Sequence, residues 1–552
     1  MVIRVINCFN YKHTLRFHRF LVFFMARSYF FLSSVYLFVL LFSFDISAAD
    51  NNQLFSLDKI KIDGNHAITN TELNQIFDSY LGKEISLQDQ GFQEKIIDAI
   101  NLTYVKKGFT YSRVNEIKVQ KNVLHIKITE GHLKKIFVQD NLKEIPYLKY
   151  YIEKIEEIKP FNINEAEPYL LLIKRLLGRD ITLIQQLLSP SNPEDKNLAE
   201  IYIVGYKKFN GSLNNDNYYN AHAQDGNSDI IFNKNYFAFA DLSVTTMHPF
   251  STPGFWTNMI SSSGDSKYNY LSTSYKYQLN NLGTQVKGNA SVEHFNFNSS
   301  GNLISAGGSI IHPIILTKQQ QLELSSGADF IFLDRKTILQ NKKHSQIQKI
   351  NLTTNYKYNY KRKFWYNQLL SVYTGKGHGR DSSLKRRVDN KFFKITASAA
   401  LRFKVVDNVY LDFLADAQYA SKDLPELEYF TVNKNWGGRG FLANDVNGNN
   451  GASGTVELSK NYAINNKLLS SISPYGYVDM IKAQDKQNDI MSKGVSTGVG
   501  VNLGLINDLE CKIEVSQPLL YKRTFRKRTA FALANKHKKA KVFLELTYNF
   551  AF

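Results

Sequence analysis

The sequence predicts a β-rich protein in two parts: two small β-α-α-β-β modules, then an antiparallel β-barrel that crosses a membrane with about 16 strands. Three observations predict it. In the last twelve residues Val542, Leu544, Leu546, Tyr548, Phe550 and Phe552 take alternate positions, with Phe543, Glu545, Thr547, Asn549 and Ala551 between them. A strand turns successive side chains to opposite faces, so one face here is wholly apolar and ends in aromatics. The order strand-helix-helix-strand-strand occurs twice between residues 50 and 206. From residue 207 onward only short alternating runs recur, and no later stretch is apolar for the roughly 18 residues that a spanning helix needs. Taken by itself, the closing stretch fits a lipid-facing strand and the last strand of a soluble sandwich equally well.

Composition narrows the class. Hydrophobic content of 43% excludes a largely disordered chain. The 32 Tyr and 38 Phe beside 3 Trp suit aromatic girdles at a membrane boundary, and soluble all-β proteins also reach such a balance. At the N-terminus Arg27 precedes the uncharged apolar run 28–44, and Ser47-Ala48-Ala49 offers small residues for cleavage before Asp50. Residues 1–49 therefore read as a removed export signal, the alternative being a retained anchor, and Met25 is a candidate start because the n-region is otherwise long. That segment holds five Lys/Arg and one Asp, which lowers the formal charge of the mature chain from +19 to +15. Cys8 leaves with it, so Cys511 stands alone and no disulfide staples the mature chain. The basic excess fits anionic lipid headgroups, and a Lys-rich proteome explains it more simply.

The first module, residues 50–130, opens with a strand from Phe55 to Ile62 and an Asp63-Gly64-Asn65 turn. Thr69 and Glu72 form a capping box for a helix carrying Leu73, Ile76, Phe77 and Tyr80. A second helix spaces Phe92, Ile96, Ile100 and Tyr104 by four and stops at Gly108. Two strands follow, Tyr111 to Val119 and Val123 to Thr129. The second module, residues 131–206, repeats the order: a strand from Leu133 to Gln139, a helix around Tyr147 to Ile158, a helix with Asn164 as N-cap and Pro168 in its first turn, then strands Ile181 to Leu188 and Ala199 to Val204.

Paired modules of this order, behind an export signal and ahead of an all-β half, resemble the polypeptide-transport-associated (POTRA) domains of outer-membrane translocases and insertases. The run 170–177 and the following Gly211-Ser212-Leu213-Asn214-Asn215-Asp216-Asn217 are similar to the haemolysin-activator branch, which serves two-partner secretion. Gly178-Arg179 stands where that branch usually has Pro-Gly. A small three-stranded sheet leaves edge backbone unpaired, and such an edge accepts an extended peptide as an added strand. The resemblance implies that the modules bind a client in this way; read from the residues alone, they are equally spacers.

In the second half, Val409 to Gln418 and Leu509 to Ser516 put charged groups on one face only, the pattern of a water-filled lumen against lipid. Residues 207–552 accommodate about 16 strands at roughly 20 residues for each strand and its connection. Polar clusters at 298–302, 341–345 and 375–383 read as loops, the last including the glycine-rich Gly375-Lys376-Gly377-His378-Gly379-Arg380. Gly437-Gly438-Arg439-Gly440-Phe441 lies in a polar loop running to Gly454, and Pro474-Tyr475-Gly476-Tyr477-Val478-Asp479 is a strand with a carboxylate among aromatics. Alone, an Arg between glycines is an exposed turn. In this order the pieces resemble the translocase pattern of a Val-Arg-Gly-Phe/Tyr loop tip followed by a Pro-x-x-Phe-x-Asp strand. The resemblance implies that Arg439, flanked by Gly438, Gly440 and Phe441, pairs with Asp479 and pins the loop near 437–454 inside the lumen. Exchange of the two charges is then expected to restore part of what either single change removes. Gly438 departs from the family's apolar residue, and Asn449 stands where the family tends to have Asp. Only Asp50 to Leu54 separates the cleavage site from the first strand, so the plug helix common in the family is expected to be missing.

The sequence contains no Gly-x-Ser-x-Gly elbow, His-Glu-x-x-His or phosphate loop, and the 12 His form no ligand-spaced cluster. The expectation is a non-enzymatic outer-membrane translocase without cofactor or nucleic-acid partner, its modules in the periplasm. Its partners are a large unfolded exoprotein, outer-membrane lipid, and the barrel-assembly machinery acting on the C-terminal signal Tyr548, Phe550 and Phe552. The rival reading is a barrel-assembly insertase, which usually has more modules; a passive porin or adhesin needs none.

Overall fold

The computed structural model describes residues 54–551 apart from short gaps, the longest being 139–146, 188–197, 217–238 and 526–539, and gives only backbone elements between 177 and 270. The export segment and the region of the expected plug lie outside the described residues. Strands β1 (Leu54–Ser56) and β2 (Lys59–Asp63) replace the single opening strand, because β1 turns away to pair with β3 (Glu84–Ser86). Helices α1 (Asn70–Asn74) and α2 (Gln90–Lys106), then β4 (Arg113–Gln120) and β5 (Val123–Thr129), complete the first module. Its sheet runs β2-β5-β4, with β5 central, parallel to β2 and antiparallel to β4. α1 is shorter than the expected helix through Tyr80, ending at Asn74. Leu124, Ile126 and Ile128 alternate along β5 and are buried against Leu73 of α1, Phe77 of the turn after it, and Ile96 and Ile100 of α2.

The second module has the same topology. β6 (His132–Val138), α3 (Leu148–Glu156), α4 (Ile163–Leu177), β7 (Thr182–Leu187) and β8 (Leu198–Val204) give a sheet in the order β6-β8-β7 with β6 parallel to β8. The cap of α4 is Asn162 rather than Asn164: its Oδ1 accepts from the backbone N–H of Asn164 at 2.9 Å, so the helix starts earlier and Pro168 falls inside it. Asn162 Nδ2 (3.3 Å) and Asn164 Nδ2 (3.2 Å) both donate to Lys107 O across the module boundary. The backbones join there too, Phe161 N–H donating to Gly131 O and Ile163 N–H to Gly108 O, both at 2.9 Å. Tyr111 crosses the boundary. It belongs to the first module's chain but stacks on Phe161 at 5.0 Å and packs in the second module's core with Leu148, Tyr151 and Ile173. Burial pushes its hydroxyl pKa up to about 12, so the ring enters that core neutral.

The remaining strands close on themselves. They are β9 (Phe209–Asp216), β10 (Phe239–Met247), β11 (Gly254–Ser262), β12 (Tyr268–Gln278), β13 (Gln285–Asn296), β14 (Ser299–Leu316), β15 (Gln320–Thr337) and β16 (Lys342–Tyr360). They continue as β17 (Phe364–Asp381), β18 (Arg386–Val406), β19 (Val409–Ala420), the short β20 (Phe430–Thr431) and β21 (Asn447–Gly448), then β22 (Asn450–Lys460) and β23 (Tyr462–Ala463). The last are β24 (Leu469–Asp485), β25 (Ile490–Leu505), β26 (Leu509–Phe525) and β27 (Lys541–Ala551). Neighbours are antiparallel, and β27 pairs with β9 from Glu545↔Asp216 to Ala551↔Asn210, which removes the open edges. Because β22 and β23 are two parts of one stave against β24, the ring has sixteen staves, the number expected. The outer face is apolar and exposed at Ile304, Phe330, Ile350, Val456, Met480 and Val499, as lipid requires.

The strands run further than the polar clusters suggested. Residues 299–302, 342–345 and 375–381 are strand, since beyond the apolar band a barrel strand needs backbone pairing and no alternation. The second module sits against the turns at one mouth. Tyr147 Oη donates to Leu279 O (2.8 Å), Gln278 Nε2 donates to Tyr151 Oη (2.6 Å), and Arg175 pairs with Glu323. Leu316, at the β14–β15 turn, joins the second module's core.

Candidate functional site

The connection from β19 to β22 starts at the mouth opposite the modules and folds back into the lumen. It spans residues 421–449, not 437–454: Asn450 onward is already wall, with Gly451 opposite Gln418 on β19 and Asn450 opposite Gln484 on β24. The Gly/Asn run at 448–454 lacks alternation because the loop covers it, Phe430 of β20 resting on Gly451.

The tip is built by Gly437 and Gly438, whose φ values of +119° and +89° suit glycine. That conformation is the reason for glycine where the resembled pattern has an apolar residue. It lets Phe441 N–H donate back to Gly438 O (2.9 Å) and sends Arg439 to the wall. Gly440 lies on the wall itself, where a Cβ would stand 2.6 Å from the Cβ of Ser496. Phe441 is fully buried with Val446, Ile481 and Ala483.

The structure brings Arg439 and Asp479 together. Asp479 Oδ2 accepts from Arg439 Nε (3.2 Å) and from the Arg439 backbone N–H (2.9 Å), while Oδ1 accepts from Nη2 (3.2 Å) and from Thr455 Oγ1 (2.8 Å). The pair is not alone. Nη1 donates to Glu457 Oε2 at 3.0 Å and to Glu514 Oε2 at 3.4 Å, and the guanidinium lies over the ring of Tyr477 at 3.2 Å from its centroid. Tyr475 and Tyr477 donate their hydroxyls to the two oxygens of Glu514, each at 2.8 Å. Arg439 is 4% exposed and Asp479 fully buried, so each depends on its partners in place of water.

The three carboxylates change what a charge exchange would do. An aspartate at 439 would face Glu457 and Glu514, so the swap expected to restore function instead adds repulsion. Glu457, Glu514 and Tyr477 are the partners that the sequence pattern did not assign. Alternation marks them as inward-facing, but their meeting depends on the register of three strands. Asn449 is fully buried, its Oδ1 accepting from Lys486 N–H (2.8 Å). At the C-terminus Tyr548 points outward and is 41% exposed; the side chains of Phe550 and Phe552 lie outside the described residues.

Residues 55–131 match the ShlB-type POTRA domain family. In fold the chain is similar to CdiB from Escherichia coli, with a TM-score of 0.58, 16% identity, and 91% of this chain and 92% of that chain covered. It is similar to CdiB from Acinetobacter baumannii at a TM-score of 0.54 and 16% identity, with 90% of each chain covered. BamA from Haemophilus ducreyi lacking POTRA domains 1–3 gives a TM-score of 0.53 at 10% identity, covering 90% of this chain and 100% of that one. These findings agree with the resemblance drawn from the sequence, and at such identities the likeness is one of fold. No curated protein matches the chain significantly in sequence.

Proposed function

We propose that this chain is an outer-membrane translocase of the two-partner secretion type. Its modules lie in the periplasm, and its barrel is the pore through which one large exoprotein leaves unfolded. The observation that carries this reading is the buried Arg439–Asp479 contact, which holds a loop inside a barrel whose opposite mouth carries two small sheets. Each of those sheets ends in edge strands, β2 and β4 in one and β6 and β7 in the other. An extended client segment adds to such an edge through backbone hydrogen bonds, which suits a partner met before it has side-chain packing to offer. The segment then enters the lumen as the loop moves aside, and folding beyond the far mouth prevents return. No bond is made or broken. The outward Tyr548, with Phe550 and Phe552, is the strand end that the barrel-assembly machinery reads, and lipid covers the apolar band.

The fold shared with BamA favours one second reading, a barrel-assembly insertase. Deletion of the gene, complemented by wild type, Arg439→Ala or Asp479→Ala, separates the two. Loss of one large extracellular polypeptide, restored by wild type but by neither variant, supports the translocase. A joint decline of many outer-membrane proteins selects the insertase, and an unchanged secretome and outer membrane sinks both.

A further inference from the structure

The loop meets the inner wall a second time, and there the charges are reversed. Glu428 closes a short 3-10 turn (Glu426–Glu428) and is 3% exposed. Its Oε1 accepts from Lys349 Nζ at 2.8 Å, and its Oε2 lies 2.6 Å from Lys394 Nζ. The two lysines project from β16 and β18, and both ammoniums lie over the ring of Tyr373 on the strand between, 5.4 and 5.0 Å from its centroid. Gln418 Nε2 donates to Glu428 O (2.9 Å) and to Asn449 O (3.1 Å), tying the two ends of the loop to one amide.

The glycine-rich run Gly375-Lys376-Gly377-His378-Gly379 belongs to the same seat. Gly375 and Gly377 face inward, where the missing side chains leave a trough. A Cβ on Gly375 would stand 2.5 Å from Phe392 Cζ, and one on Gly377 would stand 2.6 Å from Pro425 Cγ. Leu424 fills the trough beside Ile347, Phe392 and Ala420. Counted from β9, strands β16–β18 are the eighth to tenth staves and β24–β26 the thirteenth to fifteenth. The loop therefore crosses the lumen as a chord fastened to two separate arcs, one cationic and one anionic.

We propose that Glu428, Lys349 and Lys394 are positioning residues that form a latch, the end of the loop released when a client passes, while Arg439 is the pivot. The proposal rests on the translocase reading above. At the pivot, a planar guanidinium is fixed by three carboxylates, by its own backbone N–H and by a ring. At the latch, two lysines act as point charges on flexible stems around one carboxylate. An acidic side chain of a passing polypeptide replaces Glu428 on the two ammoniums, carboxylate for carboxylate, so the wall charges are never left bare. The pivot offers no such exchange, because a client cation would have to displace Arg439 from among three carboxylates.

A disulfide tests the release directly. A Cβ at Gly377 would lie 3.5 Å from Pro425 Cβ, within bridging range. In the Cys511→Ser background, Gly377→Cys/Pro425→Cys should close without forcing, reduce export of the client by about tenfold or more, and regain it with reductant. A closed bridge that leaves export unchanged overturns the proposal, as does a pair that fails to close in the folded barrel. Where the double variant does not reach the membrane, planar-bilayer recording of purified protein carries the test. Glu428→Lys should raise open-state occupancy about tenfold by gathering three cations, and Glu428→Lys/Lys394→Glu should return it by restoring two cations and one anion. An unchanged single variant, or a double variant that stays open, overturns the latch. A wild-type protein that exports nothing sinks the translocase reading instead, and leaves the conductance comparison to judge the latch.

Discussion

Arg439 uses its guanidinium and its backbone N–H on one wall, and Asp479 answers with both oxygens. Removing Arg439 leaves Asp479 buried beside Glu457 and Glu514 without the cation they share, at a cost of about 3–5 kcal/mol. Arg439→Ala is therefore expected to unseat the tip, and Asp479→Ala to do so less, because Glu457 and Glu514 still hold the guanidinium. Chymotrypsin cleavage after the buried Phe441 should rise by a factor of about ten or more, a direct readout of loop position. Arg439→Lys keeps the charge but loses the two-pronged contact and should fall between. Arg439→Asp/Asp479→Arg should be no better than either single change, since Glu457 and Glu514 remain. The pair itself was legible only through the family resemblance, since an Arg among glycines reads alone as an exposed turn and gains a partner once the later Pro-x-x-x-x-Asp strand is matched to the family's pattern. Its company was not: Glu457, Asp479 and Glu514 meet only through the pairing of β22, β24, β25 and β26, and a wrong register on any of them scatters the cluster.

Among elements, those driven by side-chain periodicity were the readable ones. β5 and three of the four module helices form where the alternation and the four-residue spacing place them, while α1 stops at Asn74 and leaves Ile76, Phe77 and Tyr80 beyond it. What misled was punctuation. Two asparagines stand at the start of α4 and both donate to Lys107 O, so the backbone bonds of Phe161 and Ile163 across the boundary are what place Asn162 at the cap. Asn162→Ala is expected to lower module stability by about 1–2 kcal/mol, through the lost cap and the lost bridge together, measured as the denaturant midpoint of the modules. Asn164→Ala should cost less, because its contact to Lys107 O, at 3.2 Å, is exposed. Glycine clusters misled in the opposite direction: 375–379 and 450–454 read as loops but are wall, kept bare so that the folded-in connection lies flat against them.

For the whole molecule, the ring of sixteen staves followed from length and alternation, whereas the seating of the modules on it did not. That seating depends on Tyr147, Tyr151 and Arg175 reaching Leu279, Gln278 and Glu323, residues far apart in the chain with no pattern to join them. Arg175→Glu sets like charges against each other in a half-dry contact and should loosen the modules while the barrel keeps its heat-resistant gel mobility. Glu323→Arg in the same chain should restore the seating, because this contact, unlike that of Arg439, shows one acid and one base. Crosslinking between Tyr147→Cys and Leu279→Cys, lost in the single variant and regained in the double, checks it.

Tyr111 governs how the two modules behave. A ring that hangs from the first module and fills the second leaves no seam along which the pair parts. Excising Phe55 to Thr129 would thus do more than subtract a domain, for it would pull a stone from the neighbour's wall and let water reach Phe161. The two modules should melt together, and digestion should free them as a single fragment, so a force applied at either one arrives at the rim of the barrel undivided.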